Sequence, residues 1–283
     1  MNQVEWYLRR ALASATHRTV CLGVIVAGLM PASALAQVNS QSLDRGEYAS
    51  GIMTDVGGDL SLRTGNVELL EVYANGAIRW QTLREARHEN ELPWLHQRLR
   101  MDVLSGYGRE AGESIINEQY AHLRWTAMWH RHIGTELFVQ AQRNEFQALN
   151  LRWLAGGGLR SDVIHTDAFA LWYGTGVFSE YENIEIPGEN ERENALRWNN
   201  FMVARVQFGR TEELAVVLQN TIYVQPNLAD MNDFRVLEEV ETDIPITRVV
   251  SLVTKFSARI DAEPPEGVKT TDLRLSQGIS VSF

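Results

Sequence analysis

Cysteine is almost missing from this chain of 283 residues: the only one is Cys21. It falls in an N-terminal segment that reads as a removable leader, so the rest of the chain offers no thiol, no disulfide and no cysteine-ligated metal. Basic charge is also in short supply. Lys and Arg number 26 against 36 Asp and Glu, a net charge of −10. Such a balance argues against nucleic acid as a partner, because phosphate binding needs a basic face. Helical periodicity is missing as well. After Gln37 apolar residues do not recur at three and four over any long window, and no apolar run there approaches the 18 residues of a spanning helix. No linker or low-complexity tract marks a domain boundary. Hydrophobic residues nevertheless make up 45% and charged residues 22%, the composition of a folded chain rather than a disordered one.

Residues 1–36 carry the pattern of an export signal. Arg9, Arg10 and Arg18 give a basic start, Val20 to Met30 an apolar run, and Ala34-Leu35-Ala36 a small-x-small cleavage site before Gln37. The apolar run is too short for a membrane anchor, which needs about 20 residues. Arg18-Thr19-Val20 before Cys21 does not resemble a lipoprotein cleavage box, so no lipid anchor is expected. Losing the leader removes three positive charges and one negative, taking the net charge from −10 to −12. Residues 37–57 are then expected as a periplasmic lead-in and 58–283 as the folded unit. An exported chain without disulfides must draw stability from elsewhere. Closing a sheet so that no edge is left unpaired is one such source.

What the chain does have is alternation with period two, the mark of a strand with two unlike faces. In Tyr120 to Trp129, Ala121, Leu123, Trp125, Ala127 and Trp129 share one face, and Tyr120, His122, Arg124 and Thr126 the other. Leu95, Leu99, Met101 and Val103 oppose His96, Arg98, Arg100 and Asp102. Leu214, Val216, Leu218, Ile222 and Val224 oppose Gln219 and Thr221. At the end, Leu273, Leu275, Ile279, Val281 and Phe283 oppose Arg274, Ser276, Gly278, Ser280 and Ser282. About twelve such segments can be drawn, near 51–66, 68–82, 94–108, 114–130, 134–147, 149–161, 167–182, 196–209, 213–226, 233–244, 248–262 and 271–283. The fit is poor for 233–244, where Glu238, Glu239 and Glu241 crowd together. Glu182 to Ala195 reads as a longer, charged connection, and Arg131 to Gly134 and Gly209 to Glu213 as short ones. An even strand count would leave both ends of the chain on the periplasmic side.

A soluble sandwich also alternates, but these strands are longer than the usual five or six residues. Their polar faces carry Arg79, Arg98, Arg100, Asp102, Arg124, Arg205 and Arg259. A wet or ion-paired lumen accepts such groups and a dry core does not. The apolar faces then have to meet lipid, where every backbone group must pair within a closed sheet. Seven of the eight tryptophans follow the leader, and Trp80, Trp129, Trp153 and Trp198 fall near ends of the proposed strands, as in an interfacial girdle. The alternative is that they are ordinary core residues.

A final strand ending in Phe283 resembles the signal that outer-membrane barrels offer to their assembly machinery. The run Arg259-Ile260-Asp261-Ala262-Glu263-Pro264-Pro265-Glu266-Gly267-Val268-Lys269-Thr270-Thr271-Asp272 resembles the closing hairpin of a bacterial family labelled salt-induced outer-membrane protein, a domain of unknown function. Pro264, Pro265 and Gly267 carry the specific part of the match. Thr64-Gly65-Asn66 is similar to that family's turn after the first strand, and Gly156-Gly157-Gly158 to its glycine-rich middle strand. The similarity runs from about Gly58 to Phe283. It implies a location and a fold, and the family lends no established activity.

Motifs for chemistry are sparse. The histidine and Ser-Asn-Gly run of a barrel phospholipase is absent. Glu182 to Glu193 offers acid but no histidine for a barrel protease. His130 and His132 could share one side of a strand and bind a metal, but no third ligand lies near in sequence, so a solvated periplasmic turn is the favoured reading. Gly156-Gly157-Gly158 lacks the Gly-Lys-Ser/Thr ending of a phosphate loop. It suits a strand bend or a lumen side chain packed on backbone. The inner arginines have two readings. Arg98, Arg100, Arg124, Arg205 and Arg259 could ring an anion-selective constriction. They could instead pair with Glu71, Asp102, Glu118 and Glu180 and plug the lumen.

The expected fold is therefore all-β, a closed antiparallel transmembrane β-barrel of about twelve strands in the cell outer membrane, reached through a cleaved leader. The expected role is non-enzymatic: a structural or stress-related barrel with a narrow or plugged polar lumen. The alternative is a porin-like channel for small anionic or polar solutes. A barrel enzyme acting on lipid or peptide, and a soluble periplasmic β-protein, are further readings. No cofactor or metal is expected. The expected partners are outer-membrane lipid and, through the C-terminal strand, the barrel assembly machinery. Oligomeric state is left open.

Overall fold

Residues that alternate along the sequence also alternate across the wall of the folded chain. The computed structural model describes residues 50–63, 69–85, 92–110, 113–145, 149–186, 189–209, 215–264 and 269–282. Twelve strands run through them: β1 (Gly51–Arg63), β2 (Leu69–Arg84), β3 (Trp94–Glu110), β4 (Glu113–His130), β5 (Ile133–Asn144), β6 (Leu149–His165), β7 (Phe169–Ile186), β8 (Glu189–Phe208), β9 (Val216–Pro226), β10 (Phe234–Pro245), β11 (Val250–Asp261) and β12 (Thr271–Ser282). Each is antiparallel to the next, and β1 pairs with β12, Asp55 opposite Ser282 and Gly58 opposite Ile279. The sheet is a closed up-and-down barrel with no free edge. The rim at Gly51 and Ser282 is called the terminal rim below, and the opposite one the far rim.

In β4, Leu123 and Trp125 point out and are exposed, while His122, Arg124 and Thr126 point in and are buried. The same inversion holds around the barrel. Ile52, Leu137, Leu159 and Leu275 are 50–72% exposed, whereas Glu118, Glu136, Glu180 and Glu182 are 2–4% exposed. An apolar outside and a charged inside are the reverse of a water-soluble core.

Inside, one half of the lumen is filled. Phe138, Leu154 and Phe178 form one buried cluster. Ala170, Trp172, Phe201, Val203, Tyr223 and Leu237 form another, against β7–β10. Glycines make room for them. A Cβ on Gly174 would lie 2.1 Å from Cε1 of Phe201, and one on Gly176 would lie 2.2 Å from the carbonyl oxygen of Gly157. The run 156–158 thus lies within regular strand. A Cβ on Gly156 would lie 2.4 Å from that of Phe178, so the run serves side-chain packing on backbone.

Four sequence expectations change. β1 begins at Gly51, so residues 51–57 belong to the barrel wall rather than to a lead-in; their alternation continues the strand. The charged stretch 182–195 is not an open connection: Glu182 pairs with Glu193 and Ile186 with Glu189, so β7 and β8 continue as a long hairpin. Trp198 consequently sits in the middle of the 20-residue β8, not near its end. Leu95 leaves the outward face. The ladder slips between Thr82 and Leu83, so Thr82 faces Gln97 while Leu83 faces Leu95, and one extra residue reverses the sidedness.

Candidate functional site: the barrel lumen

Charged residues on alternate positions of neighbouring strands must meet across the lumen, and near the far rim they meet as a lattice. Glu180 of β7 accepts from Arg197 Nε at 2.6 Å and from Nη1 of Arg235, and pairs with Arg152, whose Nε lies 3.0 Å away. Glu182 receives Arg152 and, at 3.0 Å, Arg235. Arg197 also donates to both carboxylate oxygens of Asp233, at 3.0 and 2.9 Å. Arg235 Nε reaches Asp261 at 3.0 Å, and Arg259 lies 3.6 Å from the same carboxylate. Four guanidiniums and four carboxylates thus tie β6, β7, β8, β10 and β11 with no net charge. Buried charges are tolerated only in this paired form.

At mid-depth the filled half continues. Arg124 donates to Glu136 at 2.8 Å and lies over the rings of Phe138 (5.5 Å) and Phe201 (5.7 Å). Arg160 bridges Glu136 (3.3 Å) and Asp162 (2.7 Å) and covers Trp172. His122 is stacked between Tyr120 and Phe138, its Nδ1 3.0 Å from Gln140 Oε1.

The other half is open. A cavity of about 260 Å³ lies against β1–β3 and β10–β12, many times the ~15 Å³ that one water needs. Five carboxylates line it: Asp55, Asp102, Glu239, Glu241 and Asp243. Three cations join them: Arg100, Lys255 and Arg274. Asp102 is held by Arg100 at 2.7 Å, Glu239 by Lys255 at 2.9 Å, and Asp55 accepts from Ser282 Oγ at 2.6 Å. Glu239, Glu241 and Asp243 are alternate residues of one strand, so they form a carboxylate ladder with steps of roughly 7 Å. The Lys255 side chain is 32% and the Arg274 side chain 25% exposed although both face inward. Solvent therefore reaches this side of the lumen and not the lattice, whose guanidiniums are 4–10% exposed.

The five arginines of the proposed constriction do not form a ring. Arg98 and Arg100 lie toward the terminal rim, where they and Arg205 are within electrostatic reach of Arg79. Arg98 donates to Gln81 at 3.0 Å and Arg205 to Gln207 at 3.1 Å. Arg124 is directly opposite Arg100 in the ladder but packs on Phe138, and Arg259 belongs to the far-rim lattice beside Arg152 and Arg235. Their spread follows the strand ends on which they sit. Of the expected acidic partners, Asp102 holds Arg100 and Glu180 holds three other arginines, while Glu118 lies 3.5 Å from Arg274 and accepts from Asn144. His130 and His132 have ring centres 6.1 Å apart, and among the described residues no group of three potential ligands could hold a metal. Pro264 closes the described part of the last hairpin, whereas Pro265, Gly267, Phe283, residues 1–36 and Thr64-Gly65-Asn66 lie outside the described residues.

Sequence reasoning missed Glu241, Asp243, Asp55 and Lys255 as lumen groups. The signal was present: acid recurs at every second residue from Glu239 to Asp243, and only the neighbouring Glu238 blurs it.

No curated protein matches this sequence significantly. Among solved structures, the chain is similar to the NanC porin (13% identity, TM-score 0.42, covering 82% of this chain and 98% of that one). It is also similar to the β-domain of the Bordetella autotransporter BrkA (8% identity, TM-score 0.39, 82% and 98% covered). A third is a porin refined at 1.8 Å resolution (7% identity, TM-score 0.37, 82% and 99% covered). Residues 58–283, which take in nearly the whole barrel, match one family profile, and the chain belongs to that family, described as a protein of unknown function, DUF481.

Proposed function

We propose that this protein is an integral outer-membrane barrel whose lumen is closed along one side and leaves a narrow, acid-lined water path along the other. The observation that carries this reading is the division of the interior. Apolar clusters and a neutral ion lattice fill the β4–β10 side, while a wet cavity with five carboxylates and three cations follows β1–β3 and β10–β12. The outward apolar wall supports membrane insertion, since lipid is the solvent that favours exposed Ile, Leu and Trp. Strands of 11 to 20 residues suffice to cross it. Two more carboxylates than cations along the cavity favour small cations or neutral polar solutes over anions, counter to the anion preference that the arginines alone suggest. The reading assigns no catalysis. It includes handling of the C-terminal strand by the barrel assembly machinery and expression that rises with salt, as the family resemblance implies.

Reconstitution in planar lipid bilayers tests it. Small current steps are expected, with a reversal potential of cation-selective sign in a KCl gradient. Glu241→Gln combined with Asp243→Asn should move that potential toward zero. Anion selectivity would overturn the solute preference. Silence over many insertions would favour the structural barrel with a plugged lumen, a reading supported by the filled half.

A further inference from the structure

The outward wall carries aromatic side chains on several strands and a polar Gln277–Thr254 pair on β11–β12, and over β7–β10 it carries a larger polar cluster. Tyr173 Oη and Thr175 Oγ1 both donate to Asn200 Oδ1, at 3.0 and 2.9 Å, and Trp198 Nε1 donates to Thr175 Oγ1 at 2.9 Å. On the next strands Asn220 Nδ2 donates to Glu238 Oε1 at 2.9 Å. The ladders join the two groups: Tyr173 is opposite Met202, Met202 opposite Ile222, and Ile222 opposite Glu238. Six polar or amphipathic side chains therefore surround Met202 and Ile222 on one outward patch.

Glu238 is the odd member of the acidic run in β10. Glu239, Glu241 and Asp243 face the lumen, so Glu238 must face out. Among the described residues it is the one carboxylate that does so from the middle of a strand. Lipid chains cannot satisfy a carboxylate. The bonds above use one oxygen of Glu238 and the oxygen of Asn200, which leaves a second carboxylate oxygen and the Asn200 amide hydrogens facing outward.

We infer that a second copy of this chain covers the patch, related by a two-fold axis near Met202. Carboxylate acceptors lie beside amide donors on the same surface, and such a surface is complementary to itself when rotated. The carboxylate of each copy then meets the amides of the other, and interhelix-style polar pairing in lipid has its equivalent between barrel walls. An anionic lipid headgroup is the poorer occupant, because Glu238 repels it. The inference rests on the membrane reading above.

Cross-linking in native outer-membrane fragments tests it, before any detergent. With Cys21→Ser as background, Met202→Cys supplies a single thiol, and a short bis-maleimide is expected to give a product of twice the monomer mass. Leu137→Cys, outward and 50% exposed on β5, three strands around the wall from Met202, should give none. Adding Glu238→Leu should lower the Met202→Cys product at least tenfold while the heat-modifiable gel mobility of a folded barrel persists. If Glu238→Leu does not fold, Asn200→Leu should show the same loss. Absence of the Met202→Cys product, equal yield from Leu137→Cys, or a product of another mass would overturn the pairing. Recovery of the chain in the soluble fraction would overturn both the pairing and the membrane reading.

Discussion

Glu180 is the most heavily charged contact in the barrel, and its removal gives the sharpest energetic test. The carboxylate is buried and receives Arg152, Arg197 and Arg235. Glu180→Gln keeps the shape but leaves four guanidiniums facing three carboxylates in the far-rim lattice. An exposed ion pair of this kind would contribute about 0–1 kcal/mol. A buried one that loses a partner strands a charge without water, at about 3–5 kcal/mol. With a urea dependence near 3 kcal/mol per molar, the unfolding midpoint should fall by about 1–1.7 M. Urea titration in lipid vesicles, followed by tryptophan emission and gel mobility, reads the shift. Replacing Glu180 by Leu together with Arg235 by Met restores neutrality, so the double change should lose less than the two single changes summed. A midpoint shift under about 0.3 M for Glu180→Gln, matching an exposed pair, would refute the claim that the lattice is dry.

Gly176→Ala should destabilise by about 1–3 kcal/mol, because the added Cβ would lie 2.2 Å from the backbone oxygen of Gly157 and 2.5 Å from Cα of Gly158; the same urea titration measures it. Arg124→Ala should leave single-channel conductance near wild type, since Arg124 is packed between Phe138 and Phe201 on the filled side rather than on the cavity. Loss of current in that variant would place the water path elsewhere.

Much of the fold was legible because sidedness in a strand is local. The faces of Tyr120 to Trp129 and of Leu273 to Ser282 can be read two residues at a time, and a closed twelve-stranded barrel follows from repeating that reading. What failed locally was sidedness across a slip, at Leu95, and the extent of β7 and β8, where charge was mistaken for a loop although the hairpin simply continues. The lumen was less legible because its contacts are distant in sequence. Arg235 and Glu180 are 55 residues apart and Arg197 and Asp233 are 36 apart, so no spacing rule pairs them. That Arg98 and Arg259 occupy different depths depends on strand stagger, which the sequence pattern does not carry. The filled side was partly foreshadowed, since Trp172, Phe178, Phe201 and Tyr223 stand at inward positions with Gly174 and Gly176 beside them.

In the proposed reading β12 borders lipid on one face and the cavity on the other, so it tests the account most directly. Nitroxide labels at single cysteines from Leu273 to Ile279, in vesicles and with Cys21 replaced, report contact with oxygen dissolved in lipid and with a water-soluble nickel complex. Oxygen contact should peak at Leu273, Leu275 and Ile279, and nickel contact at Ser276 and Gly278, with period two. Nickel contact at the leucines, or oxygen contact at Ser276, would contradict the inside-out arrangement of this barrel.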